Sequence, residues 1–205
     1  MIANKNNISP LALKWVIVLI LLSVFLFLWI TERNNNVADS EESADTAVDF
    51  VLQSAQGPVA LADYRGKIVV LYFGYAFCPD VCPTSLGLLS LALNELTSEE
   101  LDNVQPLFIS VDPERDTVER LKTYAAAFHP SIKGITGDPI DIAQIAQQYG
   151  VMYMKVELPD SALGYAVDHS SQYYVINRDG ILKQKINHGT DPKEIVAVLR
   201  QALKD

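Results

Sequence analysis

From Leu11 to Ile30 the chain reads LALKWVIVLILLSVFLFLWI, an apolar run interrupted only by Lys14 and Ser23. A helix of that length rises about 30 Å, the thickness of a bilayer's hydrocarbon core. Trp15 and Trp29 stand near its two ends, where amphipathic rings settle at headgroup level. Lys5 and Lys14 lie at its N-terminal side, whereas Asp39, Glu41, Glu42 and Asp45 follow it. That basic bias leaves residues 1–10 in the cytoplasm and sends everything after Thr31 outside. The competing reading is a cleaved signal peptide, whose apolar region is normally about 7 to 15 residues and is followed by a small-residue cleavage site. The run is longer than that and no such site follows it, so the expectation is an uncleaved, single-pass anchor over residues 11–30 in an inner membrane. Either reading exports the remainder. Residues 31–47, TERNNNVADSEESADTA, are polar, acidic and without aromatics, as in a flexible tether.

Beyond Val48 the pattern becomes that of one folded domain, 48–205, in which strand-like and helix-like runs alternate. Ile68 to Gly74 (IVVLYFG) lacks polar alternation, which suits a strand covered on both faces. Leucines at 86, 88, 89, 91, 93 and 96 form a broad apolar stripe at helical spacing from Ser85 to Leu96. Val104 to Val111 is strand-like. Asp116-x-x-Glu119 resembles a capping box, with Asp116 as the cap of the next helix. A third helix is expected over Ile140 to Tyr149, stopping at Gly150. Val151 to Val156, Ser171 to Ile176 and Ile181 to Ile186 read as strands, the last two joined by the turn Asn177-Arg178-Asp179-Gly180. Asp191-Pro192 opens a final helix, with proline where a missing N–H is tolerated. The order predicts an α/β domain with a mixed sheet that ends in a hairpin.

A formal net charge of −9 removes the electrostatic attraction that carries most nucleic-acid binding. The chemistry is therefore sought elsewhere, and the chain's two cysteines stand together in Tyr75-Ala76-Phe77-Cys78-Pro79-Asp80-Val81-Cys82-Pro83-Thr84. This segment follows the central strand, at the sheet edge where α/β folds bind ligands. Pro83 is tolerated only in a helix's first turn, so a helix is expected to begin near Cys82, with Cys78 in an irregular turn before it. A helix N-terminus favours thiolate, the form that attacks disulfides and binds metals. Three readings stand side by side: a structural disulfide, thiol exchange, and a metal site. A disulfide across so short a loop restrains the unfolded chain little. Two thiolates with one imidazole would serve copper in either oxidation state, whereas zinc normally takes four ligands in a closed structural site. Of the three histidines, His129 before Pro130 and His188 before Gly189 read as surface turn residues. His169 lies just ahead of a strand expected in the same sheet, from where a loop could reach the cysteines.

Three blocks, Gly74 to Thr84, Val111-Asp112-Pro113-Glu114-Arg115-Asp116-Thr117 and Asp168-His169-Ser170, together with the apolar N-terminal run, make the chain resemble the Sco/SenC family. These are membrane-anchored copper proteins of cytochrome c oxidase assembly. The resemblance implies a thioredoxin-like mixed sheet flanked by helices, and a copper site made of Cys78, Cys82 and His169. It places Asp112 and Arg115 near that site as supporting residues, and it makes Cys78 and Cys82 a redox disulfide pair. Delivery to the copper centre of oxidase subunit II is implied, with a copper donor and a thiol reductant as further partners. The alternative role, thiol:disulfide exchange with the oxidase subunit's cysteines, remains open. Against it, no proline occurs between residues 160 and 191, where a thioredoxin-type oxidoreductase places one opposite its cysteine pair.

Overall fold

The computed structural model describes residues 48–204, together with Leu22–Val24 and Leu26, which are helical. The rest of the expected anchor and all of the expected tether lie outside the described residues. Among the described residues no helix is long and apolar enough to cross a membrane. In chain order the domain contains β1 (Val51–Ser54), β2 (Gly57–Ala60), a 3-10 turn (Leu61–Tyr64), β3 (Ile68–Gly74), α1 (Val81–Asn94), α2 (Ser98–Asp102) and β4 (Val104–Ser110). There follow α3 (Val118–Phe128), β5 (Lys133–Ile135), α4 (Pro139–Gln148), β6 (Tyr153–Leu158), β7 (Gly164–His169), β8 (Gln172–Ile176), β9 (Leu182–Asn187) and α5 (Pro192–Lys204).

The main sheet has the order β5-β4-β3-β8-β9. β3 pairs parallel to β4, from Ile68 opposite Val104 to Gly74 opposite Ser110, and antiparallel to β8. Every residue of β3 is buried, as its unbroken apolar sequence requires, because both faces are covered. Cross-strand neighbours fill one face: the Tyr72 ring lies 6.3 Å from Phe108 and 5.2 Å from Tyr173. On the other face Phe73 meets Tyr174 at 5.6 Å and Tyr149 at 5.7 Å. Each such ring pair adds about 0.5 to 1.5 kcal/mol beyond area burial. Helix α5 lies against α1, and α3 against β5. The mixed sheet, the closing β8–β9 hairpin and the start of α1 agree with the sequence reading. At the hairpin, Asn177 Oδ1 accepts the amides of Asp179 and Ile181 and Gly180 takes a φ of 78°, a conformation that favours glycine.

The structure departs from the sequence expectations in several places. The strand expected at Val151–Val156 is β6, and it does not join the main sheet; among the described residues it pairs only with β7, in a separate two-stranded ribbon from Tyr153 opposite His169 to Leu158 opposite Gly164. β7 itself, and the β1–β2 hairpin, have too little alternation to be read from sequence. Asp116 does not cap α3. Thr117 does, accepting the Arg120 amide at 3.2 Å, because the Asp116 carboxylate is engaged elsewhere in the buried interior. His129 is no surface residue either. It is 6% exposed, and its Nδ1 accepts the Ser131 amide at 3.2 Å.

That hydrogen bond fixes Nδ1 as an acceptor, so the buried His129 is neutral, and burial pushes its pKa below the ordinary imidazole value. A base with a depressed native pKa contributes stability above its unfolded pKa and loses it as pH falls through the native one. The midpoint of urea unfolding should therefore drop on acidification from about pH 7 to about pH 5. In His129→Asn, whose Oδ1 can accept the same amide, that part of the slope should vanish. Parallel pH profiles for the two proteins would show that His129 is not responsible.

Candidate metal centre

The central strand ends at Gly74, and the reason for glycine is steric. A Cβ there would stand 2.6 Å from the Cys82 sulfur and 2.9 Å from the Phe108 ring. The absent side chain lets the sulfur lie against the end of the sheet. From Gly74 the chain turns through Tyr75, whose carbonyl accepts the Cys78 amide at 3.2 Å, and then enters α1. Cys82 occupies the second helical position and is buried, whereas Cys78 in the preceding turn is only half-buried. The Cys82 amide points at the Cys78 sulfur, 3.5 Å away. Neither cysteine is in a disulfide.

His169 arrives from the end of β7. Its Nε2 lies 3.1 Å from Cys82 Sγ, and its Nδ1 is 3.0 Å from the Ser170 carbonyl oxygen. A carbonyl can only accept, so Nδ1 carries a proton, and Nε2 is the ring atom that faces the sulfurs and would bind a metal. The imidazole stands edge-on between Tyr72, at 6.3 Å, and Tyr75, at 5.9 Å. The ligand atoms of Cys78, Cys82 and His169 all lie within 4.8 Å of one another. Two sulfurs on one metal ion at about 2.3 Å each can be up to about 4.6 Å apart, so the group could close on a cation with small side-chain adjustments. The sequence placed His169 in a loop before a strand; it is instead the last residue of a strand. His188 stays apart from the group, with Nδ1 2.8 Å from Ser85 Oγ.

The two thiols are electrostatically unequal. The hydrogen bond from Cys82 pulls the Cys78 pKa down to about 3, aided by His169 and by the amides of Cys82 and Asp80, all against the opposing effect of burial. The partner pays in the opposite direction: donation to Cys78, then burial, then the neighbouring charge push Cys82 well above the ordinary thiol range. The arrangement thus favours the anion at Cys78 and the neutral thiol at Cys82. A bound cation would take the place of the shared proton and find both sulfurs available as anions.

A second layer of contacts holds the cysteine turn and the ribbon. Asp116 Oδ2 accepts the Ala76 amide at 2.9 Å and the Ser110 hydroxyl at 2.6 Å, tying the turn to the end of β4. Burial, the dominant influence, raises its pKa. Asp112, also buried, receives Arg115 Nε at 2.6 Å and the Tyr165 hydroxyl at 2.8 Å. Asp112 and Arg115 thus lie beside the cysteine turn rather than in the ligand group, with the Arg115 guanidinium 5.0 Å from the Phe77 ring. Sequence reasoning missed Tyr75, Asp116 and Tyr165. Tyr75 stands inside the cysteine block and Asp116 inside the block from Val111 to Thr117, and these were the signals available; Tyr165 lies in neither. Its hydroxyl accepts the Val167 amide at 3.2 Å.

The SCO1/SenC family model matches residues 38–204. The mitochondrial SCO2 homologue of Bos taurus is 38% identical over 175 residues, covering 83% of this chain and 65% of the bovine protein, so the chain spans about two thirds of that relative's length. Among solved structures, Bradyrhizobium japonicum ScoI with copper bound is 38% identical, with a TM-score of 0.70 over 77% of this chain and 99% of that one. Arabidopsis thaliana ScoI with copper bound is 34% identical, with a TM-score of 0.70 over 78% and 98%. With a family model covering most of its length and the same fold in copper-bound relatives, this chain belongs to the SCO1/SenC family.

Proposed function

We propose that this protein is a membrane-anchored copper chaperone, which holds copper through Cys78, Cys82 and His169 and delivers it to the copper centre of cytochrome c oxidase subunit II. The observation that carries the reading is the convergence of two sulfurs and one imidazole nitrogen within 4.8 Å. Soft sulfur suits Cu(I), imidazole suits Cu(II) as well, and a set of three leaves room for an acceptor's ligand to enter. The likeness to two copper-bound ScoI structures supports the choice of metal. Cargo rather than a resident ion fits the half-buried Cys78, which an acceptor can approach. The apolar run 11–30 would hold the domain at the outer face of the inner membrane, with residues 1–10 in the cytoplasm. A donor must load the metal, and a thiol reductant must keep the pair reduced.

The cysteine pair also suits a second role, because Cys78 combines thiolate character with partial exposure. In that role Cys78 would attack a disulfide of the oxidase subunit and Cys82 would resolve the mixed disulfide. The two electrons and two hydrogens would pass from the pair to the subunit, leaving Cys78–Cys82 oxidised. Both roles require the reduced pair, and only the first requires His169.

Three measurements test this reading. The reduced protein should bind one copper ion, and His169→Ala should weaken Cu(II) by at least about tenfold while leaving Cu(I) within about threefold, since sulfur dominates Cu(I) binding; equal losses for both ions would contradict the division of labour. Oxidation to the Cys78–Cys82 disulfide, verified by mass as the loss of two hydrogens, should abolish Cu(I) binding. An oxidised protein that kept its Cu(I) affinity would remove the cysteines from the copper site. Finally, membrane fractionation with N-terminal sequencing should find residues 1 to 33 retained, and a mature chain beginning after residue 34 would end the anchor proposal.

A further inference from the structure

The ribbon that carries His169 pairs with no strand of the main sheet, so no backbone ladder fixes how β7 lies over the cysteines. Isolated two-stranded ribbons are marginally stable and strongly twisted. Something else must aim the imidazole. Alternate residues of a strand share a face, and Tyr165, Val167 and His169 form such a set on β7. Each meets the domain body. His169 reaches Cys82, and Val167 is buried and donates its amide to Tyr75. Tyr165 donates its hydroxyl to Asp112 Oδ1 at 2.8 Å.

Arg115 closes the third of these contacts. Its Nη1 donates to the carbonyls of Leu163, at 3.1 Å, and Tyr165, at 2.9 Å, at the start of β7. Its guanidinium lies 3.6 Å from the centre of the Tyr165 ring. On the other side Nε is held by Asp112 at 2.6 Å, a pair whose side chains are 17% and 0% exposed. The same guanidinium faces Phe77 and Tyr75 of the cysteine turn, at 5.0 and 5.7 Å. One cation thus touches both the segment that carries the sulfurs and the strand that carries the nitrogen. A planar fork is needed for this, since one edge binds a carboxylate while another spans two carbonyls and the face stacks on an aromatic ring.

We propose that Arg115, held by Asp112 and stacked on Tyr165, is the positioning residue that fixes the direction of β7 and so sets where His169 Nε2 stands relative to the two sulfurs. A strand anchored at Tyr165 and Val167 has its line determined, and His169 lies two residues further along that line. The proposal rests on the copper-chaperone reading for its consequence, and on the contacts themselves for its geometry. Loss of the clasp should act on the imidazole and spare the sulfurs, which belong to β3 and α1. Cu(II) binding should therefore suffer and Cu(I) binding should not.

The test uses the full-length reduced protein in detergent, with Arg115→Gln, Arg115→Lys and Tyr165→Phe. Arg115→Gln is expected to lower Cu(II) affinity about tenfold, the usual scale for removing a group that orients a ligand, with Cu(I) affinity within about threefold. The nitrogen hyperfine coupling in the Cu(II) electron paramagnetic resonance spectrum should weaken. Arg115→Lys should not restore either, because an ammonium cannot span carboxylate and carbonyls together. In a His169→Ala background the Arg115→Gln substitution should cost no further Cu(II) affinity, since its effect runs through the imidazole. Without metal, amide exchange should accelerate in β6 and β7 while β3 and α1 stay protected. Tyr165→Phe, which removes one hydroxyl and keeps the guanidinium, should give the same pattern with smaller size and serves if Arg115→Gln does not fold. Unchanged Cu(II) affinity and spectrum, an equal further loss in the His169→Ala background, or unaltered ribbon exchange would overturn the proposal. Copper affinity left unchanged by Cys82→Ser, with Arg115 intact, would instead refute the chaperone reading, and the metal-free exchange comparison would still decide the clasp.

Discussion

The site depends on one close approach, that of the Cys82 sulfur to the backbone of Gly74 at the end of the central strand. A methyl group at that position would meet the sulfur at 2.6 Å, far inside contact distance, so the sulfur could not remain where His169 now meets it. Because β3 is buried along its whole length, it has no freedom to move aside. The strand's rigidity passes through Gly74 to the first turn of α1, and from there to Cys78, whose sulfur receives the Cys82 amide. Backbone packing at the sheet's core therefore sets the positions of both sulfurs before any metal arrives.

The same arrangement explains why the two thiols differ. Cys82 is enclosed, and an enclosed sulfur resists charge; Cys78 faces partly outward and collects hydrogen bonds that favour its anion. Two separated thiolates would repel in a site of low polarity, whereas one thiolate hydrogen-bonded to one thiol carries a single charge. A cation can then bind by displacing one proton, and the resulting pair of anionic sulfurs is stabilised by the ion that displaced it.

Parts of the fold and site that arise from local chemistry could be read directly from the residues. The unbroken apolar run at Ile68–Gly74, the proline that limits where α1 can begin and the Asn177–Gly180 turn each act within a few positions of themselves. The cysteine pair was visible for the same reason. His169 stands out by its place just ahead of an expected strand and by the Asp168-His169-Ser170 block that carries the family resemblance, not by any periodicity, and its placement on a ribbon outside the main sheet could not be read. The ribbon is held by contacts across about 50 positions, such as Arg115 to the Tyr165 carbonyl, and a backbone carbonyl leaves no mark in the sequence. Asp116 is the instructive failure: a carboxylate before a helix ordinarily caps it, but here the Ala76 amide and the Ser110 hydroxyl offer it a buried site, and Thr117 takes over the cap. A long-range hydrogen-bond network overrode a local preference.

The division of the ligands between two kinds of support bears on how a carrier gives up its metal. A structural site closes all its positions with protein ligands, which favours retention. Here the sulfurs are fixed by the sheet core, while the nitrogen comes from a ribbon joined to the domain by side-chain contacts at Tyr75, Asp112 and Arg115. Such contacts can be broken one at a time, whereas a strand within a ladder must break several hydrogen bonds together. An acceptor that engaged the ribbon could withdraw the imidazole and leave the metal on two sulfurs, one of them on the half-buried Cys78, without disturbing β3. On the proposed chaperone reading, the rigid part would hold the ion and the looser part would release it, and the residues that join the two are Tyr75 in the cysteine turn and Asp112 and Arg115 between β4 and α3.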